Sequence, residues 1–164
     1  MMQKKVQIIS DGSLDLSQEL TKEKDIEVVP FYVSFDSETY QKEMVEVGVR
    51  EFYQEMVDHP TVFPKTSMPS VHDYYEVFEK YAKEQLPVIC ICITRKFSGS
   101  LQSATTAKDM ILEEYPDAQI TVIDSTVNTV LQGLYVLEAC RLRDMGLEYQ
   151  QIVDALLPIR ETGR

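Results

Sequence analysis

Four short segments carry residues equipped for polar chemistry: Ser10-Asp11-Gly12-Ser13, Thr66-Ser67, Arg95 to Ser100, and Asp124-Ser125-Thr126. All four are rich in hydroxyls, which both donate and accept hydrogen bonds. Where such a segment opens a helix, unpaired backbone N–H groups and the positive end of the helix dipole join them. Gathered at one place, these groups suit a carboxylate or a phosphate. Taken singly, each Ser or Thr reads as the cap of its own helix; several at one edge weaken that reading. Asp11 and Asp124 form a candidate carboxylate pair, but at strand ends they are expected to orient loops by accepting backbone N–H bonds.

Common catalytic signatures are missing. Ser98 follows Lys96-Phe97, so there is no G-x-S-x-G elbow, and no phosphate-binding glycine loop or H-E-x-x-H occurs. The two histidines, His59 and His72, fall at a helix end and in a first helical turn, which are surface positions. An enzyme reading survives as an alternative: a small-molecule hydrolase or phosphoryl-handling protein using Asp11, Ser98 and Asp124. A ligand-free interaction module is a third.

Composition narrows the partners. Sixteen Lys and Arg oppose 27 Asp and Glu, for a net charge of −11. That balance repels phosphate backbones and anionic lipid, so neither nucleic acid nor a membrane surface is expected. Hydrophobic residues at 44% and charged residues at 26% describe an ordinary globular chain of 164 residues. Cys90 and Cys92 share a strand face and Cys140 stands apart; no second Cys/His cluster follows, so no zinc site is expected. They read as core side chains in a reducing compartment. Met1 to Lys5 leads into only four apolar-leaning residues, so neither a signal peptide nor a membrane anchor is expected, and the protein reads as cytoplasmic.

The elements that must position the four segments alternate. Strands are expected at Val6–Ile9, Ile26–Phe35 (with Pro30 marking an edge or bend), Val88–Ile93 and Ile120–Ile123. Helices are expected over Leu14–Lys24, capped by Ser13 or Ser17, and around Val45, Val49, Phe52, Tyr53 and Met56. Further helices are expected from Val71, over Leu101–Tyr115 and Val130–Met145, and around Ile152 to Leu157, disturbed by Pro158. Ser70 with Asp73 fits an N-cap, Gly146 a C-cap, and Pro60–Ser70 a loop. The acids between Asp36 and Asp58 read as the solvated face of the second helix, and the start of the Val130 helix as buried. The alternation predicts a three-layer α/β/α domain with a mainly parallel sheet, whose ligands bind at the carboxyl edge of the strands.

Five motifs, in order and with matching gaps, resemble the DegV family of bacterial fatty-acid-binding proteins. They are Ser10-Asp11-Gly12-Ser13-Leu14-Asp15-Leu16, Val29-Pro30-Phe31-Tyr32-Val33, Lys65-Thr66-Ser67-Met68-Pro69-Ser70, Phe97-Ser98-Gly99-Ser100-Leu101-Gln102-Ser103-Ala104 and Val122-Ile123-Asp124-Ser125. Gly12 stands where the family has Ser, and Met68 where it has Gln. The resemblance implies a two-lobed fold of which residues 1–164 are the N-terminal lobe, the second being absent from a chain that ends at Gly163-Arg164. That ending would mean an excised domain or a truncated gene.

The resemblance also implies a carrier rather than an enzyme, needing no cofactor. One long-chain fatty acid, palmitate-, stearate- or oleate-like, lies in an apolar tunnel. Thr66, Ser98 and the Gly99 N–H hold its carboxylate, supported by Asp11, Ser13, Ser67, Ser100, Asp124 and Ser125. Phe31, Ile93, Phe97, Leu131 and Leu134 are candidate walls. A separate fatty acid kinase then phosphorylates the presented carboxylate with ATP, and the acyl phosphate enters phospholipid synthesis.

Overall fold

The computed structural model describes residues 5–162. The N-terminal reading on Met1 to Lys4 and the chain end at Gly163-Arg164 lie outside the described residues. Four parallel strands form the main sheet in the order β2-β1-β6-β7: β1 Gln7–Asp11, β2 Ile26–Val29, β6 Val88–Cys92 and β7 Ile120–Asp124. Alternation along each strand feeds two cores. Ile8, Ile89, Ile91 and Ile123 meet α5 (Thr129–Asp144) and α6 (Tyr149–Thr162) on one face. Ile9, Cys90 and Cys92 meet α3 (Val71–Lys83) and α4 (Ser100–Glu114) on the other. This is the expected three-layer α/β/α arrangement, and the three cysteines are free and buried.

Several elements depart from expectation for local reasons. The Ile26–Phe35 run is two strands, because Pro30 lacks the N–H that would continue β2. The chain crosses into β3 (Tyr32–Ser34), the centre of a small antiparallel sheet of order β4-β3-β5. That sheet takes β4 (Gln41–Lys42) and β5 (Lys65–Ser67), so the loop around Thr66 is partly a strand, with Thr66 opposite Val33. The first helix starts late: Gly12–Leu14 is a single 3-10 turn, Asp15 takes φ 51°, and Ser17 caps α1 (Gln18–Glu23).

Helix α2 (Val49–Asp58) begins after Val45, opens on Gly48 with Glu51 accepting its N–H, and buries none of its residues. Asp36 and Glu43 lie outside it, Asp36 tying a turn and Glu43 lining a groove rather than facing solvent from a helix. Ser70 and Asp73 form the expected capping box of α3, and Gly146 follows α5 with φ +88°. Helix α6 runs through Pro158.

The largest correction concerns α5. Its start is buried on one face only: Gln132 and Gly133 are enclosed, whereas Leu131 is 52% and Leu134 57% exposed, and Val130 stands open beside them. Phe97 is 75% exposed. Among the described residues no helix is long and apolar enough to cross a membrane.

Candidate functional site

Because the four main strands are parallel, their carboxyl ends share one edge, and Asp11 anchors it. Its carboxylate is wholly buried. It accepts from the Ile93 N–H at 2.9 Å, the Ser100 hydroxyl at 2.8 Å, Gln132 Nε2 at 2.8 Å and the Ser13 N–H at 3.3 Å. These donors come from the ends of β1 and β6 and from the first turns of α4 and α5. Burial pushes the Asp11 carboxyl above the usual carboxylate range, while the donors pull the other way. Behind Ser100 the network continues to the Tyr74 hydroxyl at 2.6 Å. Asp11 therefore orients loops, as its place at a strand end predicts, and offers no exposed oxygen to a substrate.

The second turn is built alike. Asp124 Oδ1 accepts the Thr126 N–H at 2.9 Å, and exposed Arg95 stands 3.6 Å from its other oxygen. Ser125 is buried, its hydroxyl bonded to the Val127 carbonyl and its N–H to the Cys92 carbonyl. Asp124 and Ser125 thus shape the β7 turn and have their polar groups engaged within it.

Above this scaffold stand the exposed groups. Thr66 and Ser67 are carried by β5, and the Tyr32 hydroxyl on neighbouring β3 donates to Asp73 of α3 at 2.7 Å, tying the small sheet to the main domain. Ser98 is half-buried, and its hydroxyl oxygen accepts the N–H of Ser100, the first residue of α4, at 3.2 Å, while Gly99 holds the N-cap position. Gly99 is exposed, and its N–H makes no hydrogen bond among the described residues. The two loops touch: a Cβ built on Gly99 would lie 2.6 Å from Met68 Sδ. Met68, two residues beyond Thr66, therefore lies across the N-terminus of α4.

Beside the turn after β7 lies an apolar groove of about 200 Å³ lined by Val127, Leu131, Leu134, Tyr135 and Ile159, with Arg160 at its border. Gln132, the residue after Leu131, is buried and turns inward to Asp11.

The edge thus unites a buried acid, exposed hydroxyls, an N–H and a helix N-terminus, beside an apolar groove. Ile93 is core, whereas Phe97, Leu131 and Leu134 are surface. The His59 and His72 side chains are exposed, beside Glu55 and Glu76. Among the described residues no group of three or more His, Cys, Asp or Glu is placed to hold a metal ion.

Sequence reasoning missed Gln132, Tyr74 and Met68. Gln132 had a signal, as a lone amide in the apolar run Val130-Leu131-Gln132-Gly133-Leu134. Tyr74 sat inside an aromatic stripe and had none.

The family model that matches residues 5–163 describes the DegV family, itself described as uncharacterised. The chain belongs to the DegV family. A DegV domain-containing protein of Clostridium acetobutylicum is 34% identical over 153 residues, covering 93% of this chain and 53% of the relative. Among solved structures, a stearic-acid-binding protein of Eubacterium ventriosum is 46% identical with a TM-score of 0.88, over 92% of this chain and 52% of that one. A fatty-acid-binding DegV protein of Thermus thermophilus is 28% identical with a TM-score of 0.80, over 96% of this chain and 54% of that one. The chain thus spans about half the length of these relatives. Structural neighbours also carry vaccenic and heptadecanoic acid.

Proposed function

We propose that residues 1–164 form the N-terminal, head-group half of a fatty-acid carrier, which presents a bound carboxylate to a separate fatty acid kinase. The carboxylate accepts hydrogen bonds from the Thr66 and Ser98 hydroxyls and the Gly99 N–H, at the positive end of α4. Asp11, Ser13 and Ser100 fix these loops from beneath, Asp124 and Ser125 hold the neighbouring turn, and Ser67 holds the strand register of Thr66. The acyl chain runs over the exposed start of α5. Each methylene removed from water contributes ~0.8 kcal/mol, so the chain supplies most of the affinity and the head group only has to avoid an unpaired charge.

One observation carries this reading. The contact of Met68 with Gly99 sets the Thr66 loop against the N-terminus of α4, and at the same carboxyl edge of the sheet Leu131 and Leu134 stand exposed. The α5 groove, at about 200 Å³, is smaller than the roughly 300–1,000 Å³ of pockets that enclose a ligand. The second half that the relatives possess is proposed to roof it. The kinase step transfers the γ-phosphoryl group of ATP to a carboxylate oxygen, giving an acyl phosphate and ADP, and this chain supplies position rather than catalysis. The buried and fully engaged Asp11 speaks for that division and against a hydrolase built on Asp11, Ser98 and Asp124.

The test is mass spectrometry of the chain purified from cells, native and then denatured, beside its Thr66→Ala/Ser98→Ala variant and a full-length relative. A fatty acid released by the chain and lost from the variant supports the assignment. Release from the full-length relative alone assigns closure of the site to the second half. Equal retention by the variant overturns the head-group residues, and no lipid in either protein overturns the carrier reading.

A further inference from the structure

We propose a second small-molecule site, in the groove between the 3-10 turn after β1 and the loop after β4, for a ligand with an alkyl or aryl body and one protonated amine. The groove holds about 260 Å³. Leu14, Leu16, Val28 and Met44 supply apolar wall, and Glu43 and Lys22 line it too. It flanks β2, at one edge of the main sheet, whereas the α5 groove lies by the turn after β7, the opposite edge strand.

Glu43 sets the chemistry. Its carboxylate is partly buried, and its one hydrogen bond among the described residues is long, from the Phe31 N–H to Oε1 at 3.4 Å. Among the described residues no Lys, Arg or His comes within ion-pair distance of it, Lys22 included. The nearby charge of Asp11 has the same sign and works with burial to push the Glu43 carboxyl above its ordinary range. An acid withdrawn from water beside apolar walls, with a like charge close by, is costly unless a cation meets it. An ammonium group in the groove offsets both penalties while its apolar body covers the wall. A fatty acid presents the wrong charge here, so this site is distinct from the head-group loops and does not rest on the carrier reading.

Gly12 makes the site. A Cβ at this position would fall 2.1 Å from Glu43 Oε1. The glycine that stands where the family motif has Ser is thus what lets the Glu43 carboxyl lie against the end of β1.

The experiment titrates 4-phenylbutylamine, 4-phenylbutanol and 4-phenylbutyrate into the isotope-labelled chain and follows backbone amide resonances. The amine is expected to shift Gly12, Phe31 and Val45, with the alcohol about tenfold weaker, as one ion pair of partly buried strength requires. The anion is expected to leave these resonances unmoved. Glu43→Gln should weaken the amine about tenfold, to the level of the alcohol. Gly12→Ala, which displaces the carboxyl, should do the same while thermal unfolding verifies that both variants fold. Equal binding of amine and alcohol overturns the proposal, as does amine binding that survives Glu43→Gln, or shifts confined to other acidic surfaces. The absence of any shift at millimolar amine also overturns it.

Discussion

Replacing Asp11 by Ala should unfold this domain more readily than any other single polar substitution at the site edge. Four donors converge on its carboxylate, at 2.8 to 3.3 Å. The Ser13 N–H sits in a partly exposed turn and finds water, and Ser100 keeps Tyr74. The Ile93 N–H has no such recourse, and the Gln132 amide keeps only the Ser10 hydroxyl, at 3.1 Å. Each buried donor left unpaired costs about 1–3 kcal/mol, and truncating one partner of a buried charged network costs about 3–5 kcal/mol. Relief of the buried charge returns part of this, which leaves about 4 kcal/mol. For a domain of this size that lowers Tm by about 8–16 °C. Asp11→Asn should cost about half as much, because its carbonyl oxygen still accepts while its amide confronts a donor. Urea unfolding followed by circular dichroism at neutral pH measures both. A cost below about 1 kcal/mol for the Ala variant would refute the claim that this carboxylate holds the edge together.

Gly133→Ala should destabilise by about 1–3 kcal/mol, since the new Cβ meets the Leu14 carbonyl at 2.3 Å and backbone must move; thermal melts report it. Gly99→Ala meets only the flexible end of Met68, at 2.6 Å, so it should cost under about 1 kcal/mol yet weaken fatty-acid retention; Met68→Ala in the same chain should recover the stability. Thr66→Ala should leave stability within about 0.5 kcal/mol, whereas Ser98→Ala should lose about 1 kcal/mol with its hydrogen bond to the Ser100 N–H, as denaturant midpoints will show. Glu43 has a raised carboxyl pKa, so its contribution to stability is fully present below its unfolded value and fades as pH rises through the folded one. Glu43→Gln should therefore compare worst with the parent near about pH 4 and gain on it towards neutrality, measured as unfolding free energies across that range.

Periodicity made the layered fold legible. The uninterrupted Val88–Cys92 run reads as a strand covered on both sides, and the Ser70–Asp73 cap marks the start of α3 without ambiguity. Pro30 signalled a bend, but which sheet the chain enters after it depends on the pairing of Tyr32 with Lys42 and Ser67, partners that local pattern does not encode. The half-exposed start of α5 reads from sequence as wholly buried, for an instructive reason. A helix that meets something outside the chain has the same apolar sequence as one that meets its own core. At the site, the hydroxyl turns were visible as motifs, whereas Gln132 joins Asp11 across 121 positions and Glu43 reaches Gly12 only because a side chain is missing there. Both depend on three-dimensional proximity alone.

The hub at Asp11 also bears on how the chain reaches its native state. Its bonds close loops of 82, 89 and 121 residues. Ordering such distant partners carries a loop-closure entropy that is met only after most of the sheet has collapsed. The hub is therefore expected to assemble late, downhill of the folding transition state. Substitutions there should leave the refolding rate nearly unchanged and accelerate unfolding by almost their full free-energy cost. The cluster that orients the loops at the sheet edge would then act as a latch on the lifetime of the folded domain, closing last and governing how long it stays closed.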